Sequence, residues 1–337
     1  MLVSLLKAIY LDIPLKASSN TLSLLVTSTR NVVPYVEYCD AKGLDWRSIA
    51  KECGIPVELM LEGEWLPTND LMVFLHKLEI KYGYLVSVEV GRNTKFSQLS
   101  PELDRKLKAC KSFAEGIHLV ISEMPKFNNH VVFWTEYRDG RWWLCHRSGY
   151  RPSTLGFEQA EWSRTLNAIQ FCKLFLGKKW QPESAKFISA GTNAHRLPKH
   201  FHNTELLFEQ SYGAIAIPLP ESYQAVPAKQ VDLVWHQAVD RLIDTYAILP
   251  WFNIDWFAEM LGMTKRTLQR NLKNAGITFK EAKDKARMGR AKQYLLETNL
   301  SVQEISYQVG YTDLSNFNRA FKRWTGVTAP NYRDQNK

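Results

Sequence analysis

Apolar residues in the last hundred positions recur three and four apart, in an order the chain uses twice. Ile254, Phe257, Ala258 and Leu261 are followed by Gly262-Met263 and then by Leu268 and Leu272. This spacing predicts a helix over 254–261, a turn, and a second helix over 265–274. Val302, Ile305 and Val309, then Gly310-Tyr311, then Phe317, Ala320, Phe321 and Trp324 repeat the arrangement, with the second helix over 313–324. Between the copies, residues 278–297 hold no Pro and one Gly, Gly289, and read as one connecting helix. Its apolar positions fall on two stripes, Phe279, Ala282 and Ala286 on one and Met288, Ala291 and Leu295 on the other. Ser301 with Glu304 has the spacing of a capping box, and Asp313 stands where an N-cap is wanted.

The earlier part of the chain mixes two periods. Residues 31–42, 45–53 and 56–61 read as short helices punctuated by Gly43, Gly54 and Pro56. A helix over 69–82, capped by Thr68, carries Leu71, Phe74, Leu75 and Leu78 as its buried stripe, and another is expected over 105–121. The period then drops to two. Residues 130–137 and 141–147 flank Arg138-Asp139-Gly140 as a hairpin, residues 158–176 return to helix, and 186–190, 205–209 and 213–217 suggest further strands. Pro218, Pro220 and Pro227 mark a linker before a helix over 231–246 with Val234, Trp235, Ala238, Leu242 and Tyr246 on one side. The fold class expected is an α+β N-terminal domain followed by an all-α C-terminal domain with two helix-turn-helix motifs joined by a linker helix. Its parts are a leader of unknown role at 1–30, a domain at 31–228, and a domain at 229–337 with motifs at 254–274 and 302–324.

Charge gives the duplicated helices a chemistry. Opposite the apolar stripe, the second helix of the first copy projects Lys265, Arg266, Gln269, Arg270 and Lys273; that of the second projects Ser315, Asn316, Asn318, Arg319, Lys322 and Arg323. Arginine and amide side chains pair two-pronged with base edges, while lysines and hydroxyls mostly hold phosphates. The chain carries a net charge of +9, and from Trp235 onward sixteen Lys and Arg face ten Asp and Glu. Most of the basic excess therefore lies on under a third of the length, the footprint of a polyanionic partner. A connecting helix of about twenty residues spans roughly 30 Å, close to the ~34 Å between successive major grooves on one face of a duplex. One chain would then address two adjacent grooves of double-stranded DNA.

Composition excludes other classes. No apolar run approaches the ~20 residues a membrane span needs. The opening Met1-Leu2-Val3-Ser4-Leu5-Leu6-Lys7 lacks the charge placement and cleavage site of a signal peptide. Cys39, Cys53, Cys110, Cys145 and Cys172 are odd in number and form no CxxC pair, which suits reduced thiols in a cytoplasm.

The C-terminal stretch resembles the DNA-binding domain of the AraC/XylS family of bacterial transcription regulators. The resemblance rests on Gly262-Met263-Thr264-Lys265-Arg266-Thr267-Leu268-Gln269-Arg270-Asn271-Leu272-Lys273, on Gly276, Arg287, Ala291, Leu295 and Ile305, on Gly310-Tyr311-Thr312-Asp313, and on Phe317 to Trp324, Gly326 and Tyr332-Arg333. Ser306 stands where the family favours Ala, and Pro330 lies one residue later than usual. The resemblance implies base contacts from Arg266, Gln269 and Arg270 in the first recognition helix and from Leu314, Ser315, Asn318 and Arg319 in the second. It ranks the first set higher for specificity and leaves Lys265, Lys273 and Lys322 for the backbone. The order of helices, hairpin, helix and late strands over Val33 to Val226, with Gly43-Leu44-Asp45 and Gly54-Ile55-Pro56, resembles the arabinose-binding-like sensing domain of one branch of that family. That implies a small-molecule effector, a homodimer, contact with RNA polymerase if the chain is an activator, and no cofactor.

Other constellations compete. Phe133, Trp134, Tyr137, Trp142, Trp143 and His146 could line an effector pocket or could simply be core and cross-strand pairs. His195, His200 and His202 lack a companion Cys or carboxylate pattern for a metal. Cys145-His146-Arg147 resembles the acceptor motif of DNA-alkyl transferases, although Leu144 stands at the flanking Pro and Ser148 follows. The alternatives to a ligand-responsive regulator are therefore an alkyl-transfer repair protein using Cys145 and a regulator governed by protein contacts. No phosphate-binding Gly loop, HExxH or triad is present, and an enzyme is not expected.

Overall fold

Asp139 and Gly140 both take positive φ, 53° and 74°, and close a two-residue hairpin turn whose twist matches that of the strands it joins. The strands are β3 (Val131–Arg138) and β4 (Arg141–Ser148), paired so that Phe133 lies opposite His146 and Trp134 opposite Cys145. The structure, a computed structural model, describes residues 24–60, 64–83, 85–197, 201, 203–229 and 235–336. The chain divides into two compact units, residues 1–233 and 234–337. Most of the leader lies outside the described residues. From Val26 onward the chain is already structural, because β1 (Val26–Ser28) is buried and pairs antiparallel with β2 (Trp65–Pro67).

The first helices are α1 (Val33–Lys42) and α2 (Trp46–Glu52), the latter capped by the Asp45 side chain on the Ser48 N–H. Residues 57–59 form a single 3-10 turn where a helix over 56–61 was expected. Helix α3 (Thr68–Tyr82) includes Thr68 within its first turn, not as its cap; Pro67 precedes it without a side-chain hydrogen bond. A helix absent from the sequence pattern follows, α4 (Val86–Asn93), then the short α5 (Phe96–Leu99). The single helix expected over 105–121 is two, α6 (Pro101–Ala109) and α7 (Phe113–Glu123). Ser112 causes the break: its side chain accepts from the Glu115 N–H and starts a new helix.

Helix α8 (Phe157–Leu176) lies in the main core, where Trp162, Leu166, Ile169 and Phe171 join Phe133, Trp142 and Leu144 of the hairpin and Ile215 and Ile217. The sheet is completed by β5 (Ser184–Lys186), β6 (Glu205–Leu207) and β7 (Gly213–Ile217), in the order β3-β4-β7-β5-β6 with only β5 and β6 parallel. The strand expected over 186–190 ends at Lys186: the Phe187 N–H still donates to the Leu207 carbonyl at 2.7 Å, but the buried Glu161 carboxylate then takes the Ile188 N–H at 2.7 Å and the Ser189 N–H at 3.0 Å. The proline-rich linker also begins later than expected. Residues to Val226 stay on the sheet: Trp142 donates to the Pro220 carbonyl at 2.9 Å, and Thr135 and Val226 exchange two hydrogen bonds. That segment covers the free edge of β3, which would otherwise invite pairing with another chain.

The second unit is helical: α9 (Trp235–Tyr246), α10 (Ile254–Met260), α11 (Lys265–Asn274), α12 (Phe279–Glu297), α13 (Val302–Gln308), α14 (Leu314–Thr325) and α15 (Ala329–Asn336). Residues 231–234 of the expected 231–246 helix lie outside the described residues. Tyr246, Phe252, Trp256, Phe257 and Phe279 form one aromatic cluster. Ala291, Leu295, Ile305, Val309, Phe317 and Phe321 form the core of the other half. No described helix is long and apolar enough to cross a membrane.

Candidate nucleic-acid interface

The two helix-turn-helix units are built with the same local chemistry. Each opening helix ends in a glycine with positive φ, Gly262 at 64° and Gly310 at 82°. In the first turn Gly262 N–H donates to the Glu259 carbonyl and Met263 N–H to that of Ala258, both at 2.9 Å. In the second, Gly310 N–H donates to Tyr307 and Tyr311 N–H to Ser306, at 3.0 and 2.9 Å. This paired closure satisfies the last carbonyls of the helix and reverses the chain in a fixed way. Thr264 then caps α11 on the Thr267 N–H, and Asp313 caps α14 on the Asn316 N–H. Ser301 and Glu304 form the reciprocal capping box at the start of α13.

These caps fix which face of each recognition helix is buried. Leu268 and Leu272 hold α11, leaving Lys265, Arg266, Gln269, Arg270 and Lys273 exposed. Arg266, Gln269, Arg270 and Lys273 follow i, i+3, i+4, i+7 spacing and share one stripe. Among the described residues, none of those four side chains has a hydrogen-bond or ion-pair partner within the chain. Lys265 differs, pairing with Asp255 at 3.0 Å. Both partners are exposed, so the pair is weak and readily exchanged. On α14, Phe317, Ala320 and Phe321 are buried, while Ser315, Asn318, Arg319 and Lys322 are exposed. Leu314 is half-buried against the core of its own unit, and Arg319 donates to the Asn316 side chain. Arg323 is drawn off the face by Asp284 of α12, at 3.2 Å.

Arg287 of α12 ties the loop after α9 to the second helix-turn-helix motif. It was visible in the sequence only as part of a resemblance, and its role comes from packing. Its side chain is 8% exposed; Nε donates to the Ala247 carbonyl at 2.7 Å and the guanidinium lies 4.8 Å from the centre of the Tyr311 ring. Burial lowers its pKa. The guanidinium thus joins the loop after α9 to the turn of the second motif. Gly310 admits this contact, since a Cβ there would stand 2.4 Å from the Ile248 carbonyl oxygen. Arg333 does similar work at the far end of α12, donating to the carbonyls of Leu295 and Leu300. Ser306, where the resembling family favours Ala, is fully buried and satisfies its hydroxyl on the Gln303 carbonyl.

The aromatic set in the N-terminal unit is divided by the pleat. Phe133, Trp142 and His146 face the main core; Trp134 and Trp143 face the opposite side with Cys145, Ala214 and Ala216. Of these, Phe133 alone lines a cavity of about 160 Å³ inside the unit. Cys145 is fully buried and burial pushes its thiol well up from the ordinary value. His146 lies across the sheet from it, bonded to Thr165 at 3.0 Å, so the acceptor-like motif has neither a thiolate nor a base beside it. His200 and His202 lie outside the described residues, among which no cluster of His, Cys, Asp and Glu could hold a metal.

Comparison with known proteins agrees with the C-terminal geometry. A sequence family described as a helix-turn-helix domain matches residues 257–335. The chain is similar to the ornithine utilization regulator of Pseudomonas aeruginosa, 38% identical over 82 residues, which are 24% of this chain and 24% of that protein. It is also similar to the urease operon transcriptional activator of Escherichia coli, 33% identical over 102 residues, 30% of this chain and 34% of that one. The match thus spans about a quarter to a third of these relatives' lengths. The crystal structure of transcriptional regulator CdpR from Pseudomonas aeruginosa aligns over 90% of this chain and 98% of its own, at 17% identity and a TM-score of 0.41. Capped and closed as described, and matched over both motifs, residues 257–335 are a helix-turn-helix domain of the AraC type.

Proposed function

We propose that this chain is a sequence-specific, DNA-binding transcriptional regulator whose N-terminal unit binds a small-molecule effector. The observation that carries the first half is the pair of exposed faces on α11 and α14, held by one helix of 19 residues and pinned by Arg287. That helix is about 28 Å long at 1.5 Å per residue, near the repeat of the major groove. Arg266, Gln269 and Arg270 read bases in one groove; Ser315, Asn318 and Arg319 contact the next, with Leu314 contributing only its accessible edge. Lys265, Lys273 and Lys322 hold phosphates. The chain works in the cytoplasm as a homodimer through the N-terminal unit, and contacts RNA polymerase if it activates.

The effector half is supported by the cavity, which is apolar with a few convergent polar groups, the usual build of a small-molecule site. An effector that favours one state changes DNA affinity by typically 5–150-fold. Genome-wide mapping of bound sites, followed by binding to a mapped site and to random DNA at matched salt, tests the reading. A regulator should prefer its mapped site by roughly 10³-fold or more; equal affinity for both would overturn it.

A further inference from the structure

The cavity of the N-terminal unit has a feature that its apolar walls do not explain. Leu71, Leu75, Phe96, Leu103, Phe127 and Phe171 supply much of the wall, and a single ionised side chain, Arg164 of α8, lines it. No Asp or Glu is among the lining residues. Arg164 is half-buried, its Nη1 is fully enclosed, and that nitrogen makes no hydrogen bond among the described residues. His130 Nδ1 and Asn167 Oδ1, also in the lining, are equally without partners. Burial, and then Arg164 itself, holds His130 down to about 3, so it is neutral and offers no second charge. The acid whose charge Arg164 feels is Glu161, but both oxygens of that carboxylate are committed to the Ile188 and Ser189 amides.

Glu161 offsets part of the charge, but an enclosed guanidinium nitrogen with no acceptor is costly, because its lost hydration is not replaced. A protein that keeps one in a cavity wall gains only when something else brings the acceptor. We propose that this cavity is the receptor for an amphipathic monocarboxylate, with Arg164 as the contact for its carboxylate and the Leu and Phe wall around its apolar body. The inference rests on the effector reading and specifies its chemistry. One cation matches one negative charge. The planar guanidinium fork fits a carboxylate two-pronged, while a phosphate dianion would leave a charge uncompensated in an apolar chamber. The Tyr35 hydroxyl, also in the lining and close enough for its charge to act on Arg164, is a further donor.

The test is calorimetric titration of the full chain with octanoate, dodecanoate and phenylpropanoate, each against the alcohol of the same skeleton. At least one acid should bind more tightly than its alcohol by about tenfold or more, the worth of a charge-assisted hydrogen-bonded pair. The straight-chain and aryl arms separate the two sources of such an acid. Arg164→Met should abolish the preference for acid over alcohol while leaving alcohol binding in place, and Arg164→Lys should restore part of it. Failure of every acid to bind below about 1 mM, equal affinity for acid and alcohol, or unchanged acid affinity in Arg164→Met would each overturn the proposal. The wild-type comparison needs no variant to fold. If the acids fail while the protein still discriminates its mapped DNA site, the carboxylate inference falls and the regulator stands; if an acid binds but mapped and random DNA bind alike, the reverse holds.

Discussion

Arg266 and Lys273 sit on one exposed stripe, yet their chemistry assigns them different losses. A base-reading arginine or glutamine gives up a bidentate contact that exists at one sequence, so Arg266→Ala and Gln269→Ala should each cost about 1–3 kcal/mol on the mapped site and little on random DNA. Lys273→Ala should weaken binding to both alike and reduce the salt slope by about one. Fluorescence anisotropy across a salt series separates the two; equal losses on both DNAs for Arg266→Ala would remove it from the base-reading set. In the N-terminal unit the residues that report on the fold are histidines. Burial, then Arg164, holds His130 at about 3 and His146 well below its ordinary value, so both are neutral in the folded chain. Between about pH 3 and 6.5 the unfolded chain therefore binds more protons, and stability rises with pH across that window and is lost as pH falls below 6.5. Each histidine contributes a slope approaching about 1.4 kcal/mol per pH unit. Calorimetric melting between pH 4.5 and 7 should show this fall, less steep in His130→Gln; an unchanged slope would mean that His130 is charged in the fold.

Turns decide how well the elements hold. Gly310→Ala meets two obstacles, a φ of 82° and the Ile248 carbonyl at 2.4 Å, whereas Gly262→Ala meets only a φ of 64° in open space. The second should cost about 1 kcal/mol, the ordinary penalty of the left-handed region, and the first about 1–3 kcal/mol more through the close approach. Denaturant unfolding of the two variants reads the difference, and equal losses would place Gly310 away from the Ile248 carbonyl. The same contrast explains what the sequence made legible. Helix ends in the C-terminal unit followed from local chemistry, since Ser301 and Asp313 cap the helices they precede and Glu304 closes the box on Ser301 from within the first turn. Val86, Val88 and Val90 alternate as a strand would, and α4 is helical because it packs on α8, with Gly91 against Leu166, and because Glu79 takes the Ser87 amide. The end of β5 is likewise set from far along the chain, by Glu161. The exposed faces of α11 and α14 were readable because exposure on a helix is periodic. The cavity was not, because Tyr35, His130 and Arg164 meet only after the chain has folded across more than a hundred residues. The aromatic phrase around the hairpin was misleading for a simpler reason: neighbours in a strand face opposite ways.

At the scale of the molecule, the question is whether DNA binding belongs to the C-terminal unit by itself. Its cores are its own: Phe252, Phe257 and Phe279 pack around the first motif, Ile305, Phe317 and Phe321 around the second, and Arg287 joins them from within. A fragment of residues 229–337 should therefore fold and bind DNA as a monomer. With both motifs held by α12, its footprint should cover two successive major grooves, and the proposed dimer of the full chain should protect two such stretches. Arg287→Met gives the sharper version of the test. It removes the link between the loop after α9 and the turn at Tyr311 while leaving every DNA-facing residue in place, so the first motif should keep its base preference and protection over the second groove should fade. Footprinting and sedimentation of fragment, full chain and Arg287→Met supply the readings. A fragment without DNA affinity at any salt would show that the N-terminal unit is part of the binding surface, and undiminished protection of both grooves in Arg287→Met would show that the helix alone, without the arginine, sets the spacing of the motifs.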